Sequence, residues 1–260
     1  MAGGITLEKI LGTLIVLTVV AVIAERPLLE TGFTLDPSNS FIALYDDGNE
    51  QGDSSSAIID AEAISWRCQI GTSHNFPHCG LELILDPERQ RGLNLSKVDR
   101  VRLWLDYDGP TETLRFYLRN FDPVYSDPAR NDSTKYNQVE FSADITRQPG
   151  PVEFSINDFF VANWWFQRFR IAPELAHPQF DNIVVIEVQT GVRGIAGEHN
   201  FTLQKIEFIG QRLTSEQWYQ IIIGVWLAAA LLLLTVRVAS LKRELISKSL
   251  RERELTEINS

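Results

Sequence analysis

Between Arg100 and Asn120 the chain reads RVRLWLDYDGPTETLRFYLRN. Val101, Leu103, Leu105 and Tyr107 alternate with Arg100, Arg102, Trp104 and Asp106. After the turn composition Asp108-Gly109-Pro110, Leu114, Phe116 and Leu118 alternate with Arg115, Tyr117 and Arg119. A period of two places successive side chains on opposite faces of an extended chain, so each run predicts a strand with one buried face. Outward from this pair, Val184, Ile186 and Val188 repeat the pattern, as do Phe201 and Leu203. Ile206 and Phe208 continue one register out, which predicts a β-bulge near Gln204-Lys205. Shorter candidates are Phe41–Tyr45, Ser65–Gln69, Leu81–Leu85, Val139–Phe141 and Val152–Ile156. Asp46-Asp47-Gly48-Asn49 and Gln148-Pro149-Gly150-Pro151 lie between them as turns. About nine or ten strands at this spacing predict a mainly β domain over residues 25–217, a sandwich of the jelly-roll kind.

The ends read differently. Ile10 to Ala24 carries no charge across 15 residues, which as a helix spans about 22 Å against a hydrocarbon core of about 30 Å. Two readings are open for residues 1–24: a cleaved signal peptide, or a retained signal anchor forming a first transmembrane helix. Tyr219 to Val236, YQIIIGVWLAAALLLLTV, has no charge and no polar face; Trp218 and Tyr219 open it and Arg237, Lys242 and Arg243 close it. Residues 218–236 are expected to span a membrane.

The chain has 260 residues, 24 basic against 34 acidic, and a net charge of −10. This composition excludes a disordered tail and a nucleic-acid binder held by bulk positive charge. The tail after Val236 holds six basic and four acidic residues, whereas residues 25–217 hold 17 and 29. The positive-inside rule then puts the tail in the cytoplasm and the acidic domain outside it.

Cys68 and Cys79, separated by ten residues, fall in this outer domain. A disulfide is expected in an oxidising compartment, and closing such a loop contributes about 2–3 kcal/mol. His74 and His78 between them leave a C-x5-H-x3-H-C metal arrangement open as the alternative. Two acidic loops offer oxygen ligands for a structural calcium: Asp46, Asp47 and Asn49 in one, Asp122, Asp127 and Asp132 in the other, neither with EF-hand spacing. Solvated turns account for the same residues. Trp164, Trp165, Tyr125 and Tyr136 are candidates for stacking on a flat ligand, with at most one of the adjacent tryptophans free to do so if both lie on a strand. No G-x-S-x-G elbow, H-E-x-x-H or phosphate loop occurs, and no catalytic residue is assigned.

Beyond the span, Val238, Leu241, Leu245 and Leu255 share a/d positions of one heptad frame, broken by Lys248 and Glu252. Residues 237–260 therefore predict a weak coiled-coil helix that pairs with a second copy, or else a solvated charged helix.

An N-terminal anchor, an outer β domain, a second span and LKRELISKSLRERELTEIN together resemble the input half of bacterial membrane-bound diguanylate cyclases. RLWLDYDGP, LRFYLRNFDP and STKYN, with FDNIVVIEVQTG and NFTLQKIEFIG, resemble galactose-binding-like jelly rolls related to carbohydrate-binding modules. The resemblance implies a homodimeric inner-membrane sensor whose periplasmic domain takes a glycan or protein ligand and signals through the second span. The cyclase motifs Gly-Gly-Asp-Glu-Phe and Gly-Gly-Glu-Glu-Phe do not occur. The resemblance therefore assigns this polypeptide no catalysis, and a membrane-tethered binding module is the alternative.

Overall fold

A computed structural model describes the backbone of residues 7–25, 29–191 and 194–258. Twelve strands form among them: β1 Glu30–Leu35, β2 Phe41–Asp46, β3 Ser55–Asp60, β4 Ser65–Ile70, β5 Cys79–Ile84, β6 Val98–Asp108, β7 Thr113–Asn120, β8 Lys135–Ser142, β9 Val152–Ser155, β10 Phe160–Val161, β11 Ile183–Thr190 and β12 Gly197–Gln211. They lie in one compact unit, Glu30–Gln211.

The strands form two antiparallel six-stranded sheets. The first runs β3-β4-β12-β6-β9, with β1 also on β12; the second runs β10-β8-β7-β11-β5-β2. The chain crosses repeatedly between the sheets, so each is assembled from residues far apart in sequence. One set from every alternating run points into the space between them: Trp66, Leu103, Phe201 and Phe208 from the first sheet meet Leu81, Phe116, Leu118 and Ile186 from the second. Trp66 stacks on Phe201 at 4.7 Å. The molecule is thus a mainly β sandwich, as the alternation predicted.

The bulge predicted near Gln204-Lys205 appears as a register shift of β12 against β6 between Leu203 and Lys205. β12 remains one strand through it, so both apolar sets, Phe201/Leu203 and Ile206/Phe208, reach the core. Three strands escaped prediction. β1 and β3 are largely exposed and carry no clean alternation, and β10 is two residues long.

Cys68 on β4 and Cys79 on β5 form a disulfide with Cα atoms 6.0 Å apart, and both are fully buried. The bond joins the two sheets across the core. It also removes both thiols from the alternative metal arrangement, leaving only its histidines.

The residues up to Leu29 and from Arg212 onward make a second unit. It holds α1, Leu7–Ile23, and the long C-terminal helix Ser215–Ile258. Within it, Trp226 Nε1 donates to Thr18 Oγ1 at 2.9 Å and Trp218 Nε1 to the Ala21 carbonyl at 3.3 Å. Among the described residues, one helix is long and apolar enough to cross a bilayer: Ser215–Lys248 has a stretch of mean hydropathy 2.4, while the apolar part of α1, Lys9–Ile23, is shorter. The C-terminal helix runs unbroken through Val236. The Leu255 side chain, one of the four heptad positions, lies outside the described residues, as do residues 1–6, 26–28, 192–193 and 259–260.

Candidate functional site

The outward set of the second sheet builds the site. Register places Gln138 of β8 beside Tyr117 of β7, Tyr117 beside Glu187 of β11, and Glu187 beside Glu82 of β5. Arg115 lies between Glu140 and Gln189 in the next row. On β2, Tyr45 pairs with Gly80, where a Cβ would stand 2.6 Å from the phenol ring. Glycine at 80 therefore lets the ring lie over the sheet. These side chains floor a cavity of about 1130 Å³. Its walls come from the 46–50 turn, the 74–78 loop and a short helix, α2, Asn163–Phe169.

The floor is rigid. Arg119 is 1% exposed; its Nη1 donates to Glu82 Oε1 at 2.7 Å and to Glu187 Oε1, its Nε to Thr134 Oγ1 at 2.9 Å, and its Nη2 to the Asn131 carbonyl. Its guanidinium lies 4.3 Å over the Tyr136 ring. Arg89 holds the other Glu82 oxygen at 2.7 Å. Tyr45 donates to Glu187 Oε2 at 3.2 Å, and Tyr117 to Gln189 Oε1 at 2.8 Å. Burial lifts the Glu187 carboxyl to about 7, with Arg119 opposing and Glu82 adding to the rise. Burial also acts on Glu82, yet Arg119 and Arg89 outweigh it and hold that carboxyl below its usual value. Burial pushes the Tyr117 phenol up to about 12, so it stays a hydrogen-bonding hydroxyl at neutral pH.

Of the four predicted aromatic residues, the structure brings two to the cavity. Trp164 is 39% exposed and meets Tyr136 edge-on at 4.6 Å; both line the wall. Trp165 is fully buried among Val161, Ala162, Tyr117 and Tyr136, with its Nε1 donating to the Ser133 carbonyl at 3.2 Å. Both tryptophans sit on α2 rather than on a strand, a correction to the expected geometry; neighbours on a helix differ by about 100°, so one faces the core and the other the groove. Tyr125 packs on Trp165 and shares its hydroxyl with Asn120 and Gln179, away from the cavity.

The predicted calcium residues scatter. Asp122 accepts from Val124 N and Gln179 Nε2, Asp127 from Ala129 N, and Asp132 pairs with Arg168 at 2.9 Å. Asp46 caps the turn at Gly48 N and accepts from Ser56 Oγ, Asn49 lines the cavity, and Asp47 is fully buried.

Sequence reading missed Tyr45, Tyr117, Glu82, Gln138, Glu187 and Gln189. The signal was present in the polar partners of each alternating run, to which the sequence reading gave no role. Gln138 Oε1 is buried and has no hydrogen-bond partner among the described residues, although it borders the cavity. A buried orphan acceptor is costly unless something supplies a donor.

The chain matches no protein-family model, and no curated protein is significantly similar to it. Among solved structures it is similar to the family 11 carbohydrate-binding module of the cellulosomal cellulase Lic26A-Cel5E of Clostridium thermocellum, with a TM-score of 0.45, 14% identity, and coverage of 69% of this chain and 95% of that one. The Clostridium thermocellum family 11 module in complex with a β-1,3-1,4-mixed-linked tetrasaccharide gives a TM-score of 0.45 and 15% identity over 70% and 96%. A low-affinity xylan-binding module from Roseburia intestinalis gives 0.31 and 12% over 68% and 94%.

Proposed function

We propose that the protein is a membrane-tethered binding module whose second sheet takes a neutral glycan in the groove floored by Tyr45, Tyr117, Gln138 and Gln189. The observation that carries this reading is the lining of the groove. It combines exposed aromatic surface at Trp164 with convergent planar acceptors and donors, the pattern of a site for a ligand with apolar faces and polar edges. Six carboxylates line it (Asp46, Glu50, Glu82, Asp132, Glu140 and Glu187) against two arginines, Arg115 and Arg168. That balance disfavours polyanions and suits a polyol whose hydroxyls donate to carboxylates. The orphan Gln138 acceptor is one such partner.

The tether is the Ser215–Lys248 segment; its aromatic residues at one end and basic residues at the other support a sandwich held outside, in the periplasm. The contacts of Trp218 and Trp226 with α1 favour retention of the first apolar run as an anchor. The test is binding of the full chain in detergent to a panel of neutral β-glucans, read by calorimetry. Saturable binding lost on Trp164→Ala is expected; no binding to any neutral glycan overturns the reading.

A second reading keeps the same groove and adds signalling. The C-terminal helix continues without a break for 44 residues, far past what a bilayer needs, which favours a sensor that passes ligand binding to a paired cytoplasmic helix. Its link to diguanylate cyclase output rests on the resemblance of layout alone. Crosslinking at Leu241 and Leu245 that captures no dimer counts against it.

A further inference from the structure

We propose that Asp47, His74 and His78 form a site for a divalent transition-metal ion of the zinc class at one end of the groove, with Glu50 beside it. The three residues bring a carboxylate oxygen and two ring nitrogens within 4.8 Å of one another, and among the described residues no other such group occurs. They arrive from two separate segments. Asp47 opens the turn after β2, and the histidines sit on the loop closed by the Cys68–Cys79 disulfide.

The scaffold fixes them before any ligand arrives. The Asp47 amide donates to the His78 carbonyl at 3.2 Å, and the His78 amide returns a bond to Asp47 Oδ2 at 3.3 Å. Ser54 donates through its amide to Oδ1 and through its hydroxyl to Oδ2. Farther along the loop, Ser73 is tied to Asp53 by its amide and hydroxyl. The disulfide closes the base. Such fixing of the groups that hold the ligands is what a metal site requires.

Two features distinguish the cluster from satisfied structural residues. First, Asp47 is fully buried, yet no lysine or arginine pairs with it among the described residues. A buried carboxylate held only by neutral donors lacks a counter-charge, which a divalent ion supplies. Second, both imidazoles address the same acceptor: Nδ1 of His74 lies 2.9 Å and Nδ1 of His78 3.1 Å from the Phe76 carbonyl. A carbonyl accepts only, so at His78 it favours the proton on Nδ1 and leaves the Nε2 lone pair unused; His74 Nδ1 also accepts from the Phe76 amide at 3.2 Å, so its Nε2 is free to coordinate only in the tautomer that donates to the carbonyl. A backbone carbonyl behind the imidazole is the ordinary second partner of a metal-bound histidine. Glu50 Oε2 stands 3.9 Å from His74 Nε2.

Imidazole ligands favour zinc, cobalt or nickel over calcium, so the metal differs in class from the calcium suggested by the acidic turn alone. His74, His78, Asn49 and Glu50 all border the cavity, which gives the ion an entry path from the groove.

The test is zinc titration of the untagged full chain in detergent by calorimetry, with cobalt(II) absorption as a second readout. One ion per chain is expected at micromolar affinity or tighter. His74→Ala and His78→Ala should each weaken it by about tenfold or more. His177→Ala and Trp164→Ala should leave it unchanged, so loss of glycan binding and loss of metal binding are separable. Excess calcium should not compete. Absence of zinc binding at 100 µM, or binding unaltered in both the His74 and His78 variants, overturns the proposal.

Discussion

The outer faces of the two sheets start from the same kind of sequence and end in different surroundings. On the first sheet, Arg102 pairs with Glu153 at 2.6 Å and Arg100 with Glu30 at 3.1 Å, with the arginines about a third exposed. Lys205 lies 4.1 Å over the Trp104 ring. These are solvated pairs. On the second sheet Arg119 occupies an equivalent alternating position on β7, but Asn131, Thr134 and the ring of Tyr136 enclose it. The 121–134 loop and α2 rise over one end of this sheet, as the Trp165 bond to the Ser133 carbonyl records. An outward residue thus becomes surface or site floor according to what the connections cover. The covered face can hold unshielded charge interactions, while the open face cannot.

This contrast makes graded predictions. The largest effect falls on Arg119→Ala, which strands Glu82 and Glu187 without their shared cation. A loss of about 3–5 kcal/mol in denaturant unfolding is expected. An effect below 1 kcal/mol would mean that the second sheet's outer face is as wet as the first.

Next comes pH. Glu187 titrates near 7 when folded, raised from an ordinary value of 4.5, so the folded chain binds the extra proton. The associated stability is fully present below about 4.5 and is lost as pH rises through 7, by up to about 3 kcal/mol. Glu82, shifted the other way, is ionised in both states above its ordinary value and adds no slope there. His199, whose pKa burial lowers, contributes in the opposite sense, so the informative quantity is a difference. Between pH 5 and 8 the native chain should lose more stability than Glu187→Gln, measured by thermal unfolding; equal slopes would refute the buried-carboxyl assignment.

Trp164→Ala comes third. It should lower affinity for a bound glycan by roughly tenfold, about 1.4 kcal/mol, with little change in stability, because the ring is partly exposed. Trp104→Ala on the opposite sheet should leave binding unchanged. The smallest effect belongs to Arg102→Ala, within about 1 kcal/mol and diminished further by salt, as expected for an exposed pair.

The strands of the sandwich were legible because one apolar set per strand must face the core, and a period of two records that need directly. Even the β12 bulge could be read, since Phe201/Leu203 and Ile206/Phe208 reach one core only if a residue slips between them. β1 and β3 were illegible because exposed edge strands bury too little to leave a pattern. The disulfide was legible as a close pair of cysteines within one β domain. The site was only half legible: Tyr136 and Trp164 were marked as aromatic candidates, whereas Tyr117, Gln138 and Glu187 looked like ordinary outward positions.

By itself, then, the sequence determined the alternation, the disulfide pair and the apolar C-terminal run, because each depends on local spacing or on composition. Only the tertiary structure decided which outward face would be a groove, that Trp164 and not Trp165 would line it, and that Asp47 would meet His74 and His78. Those outcomes depend on which strands become neighbours and which loops fold over them, and contacts between residues far apart in the chain leave no period in it.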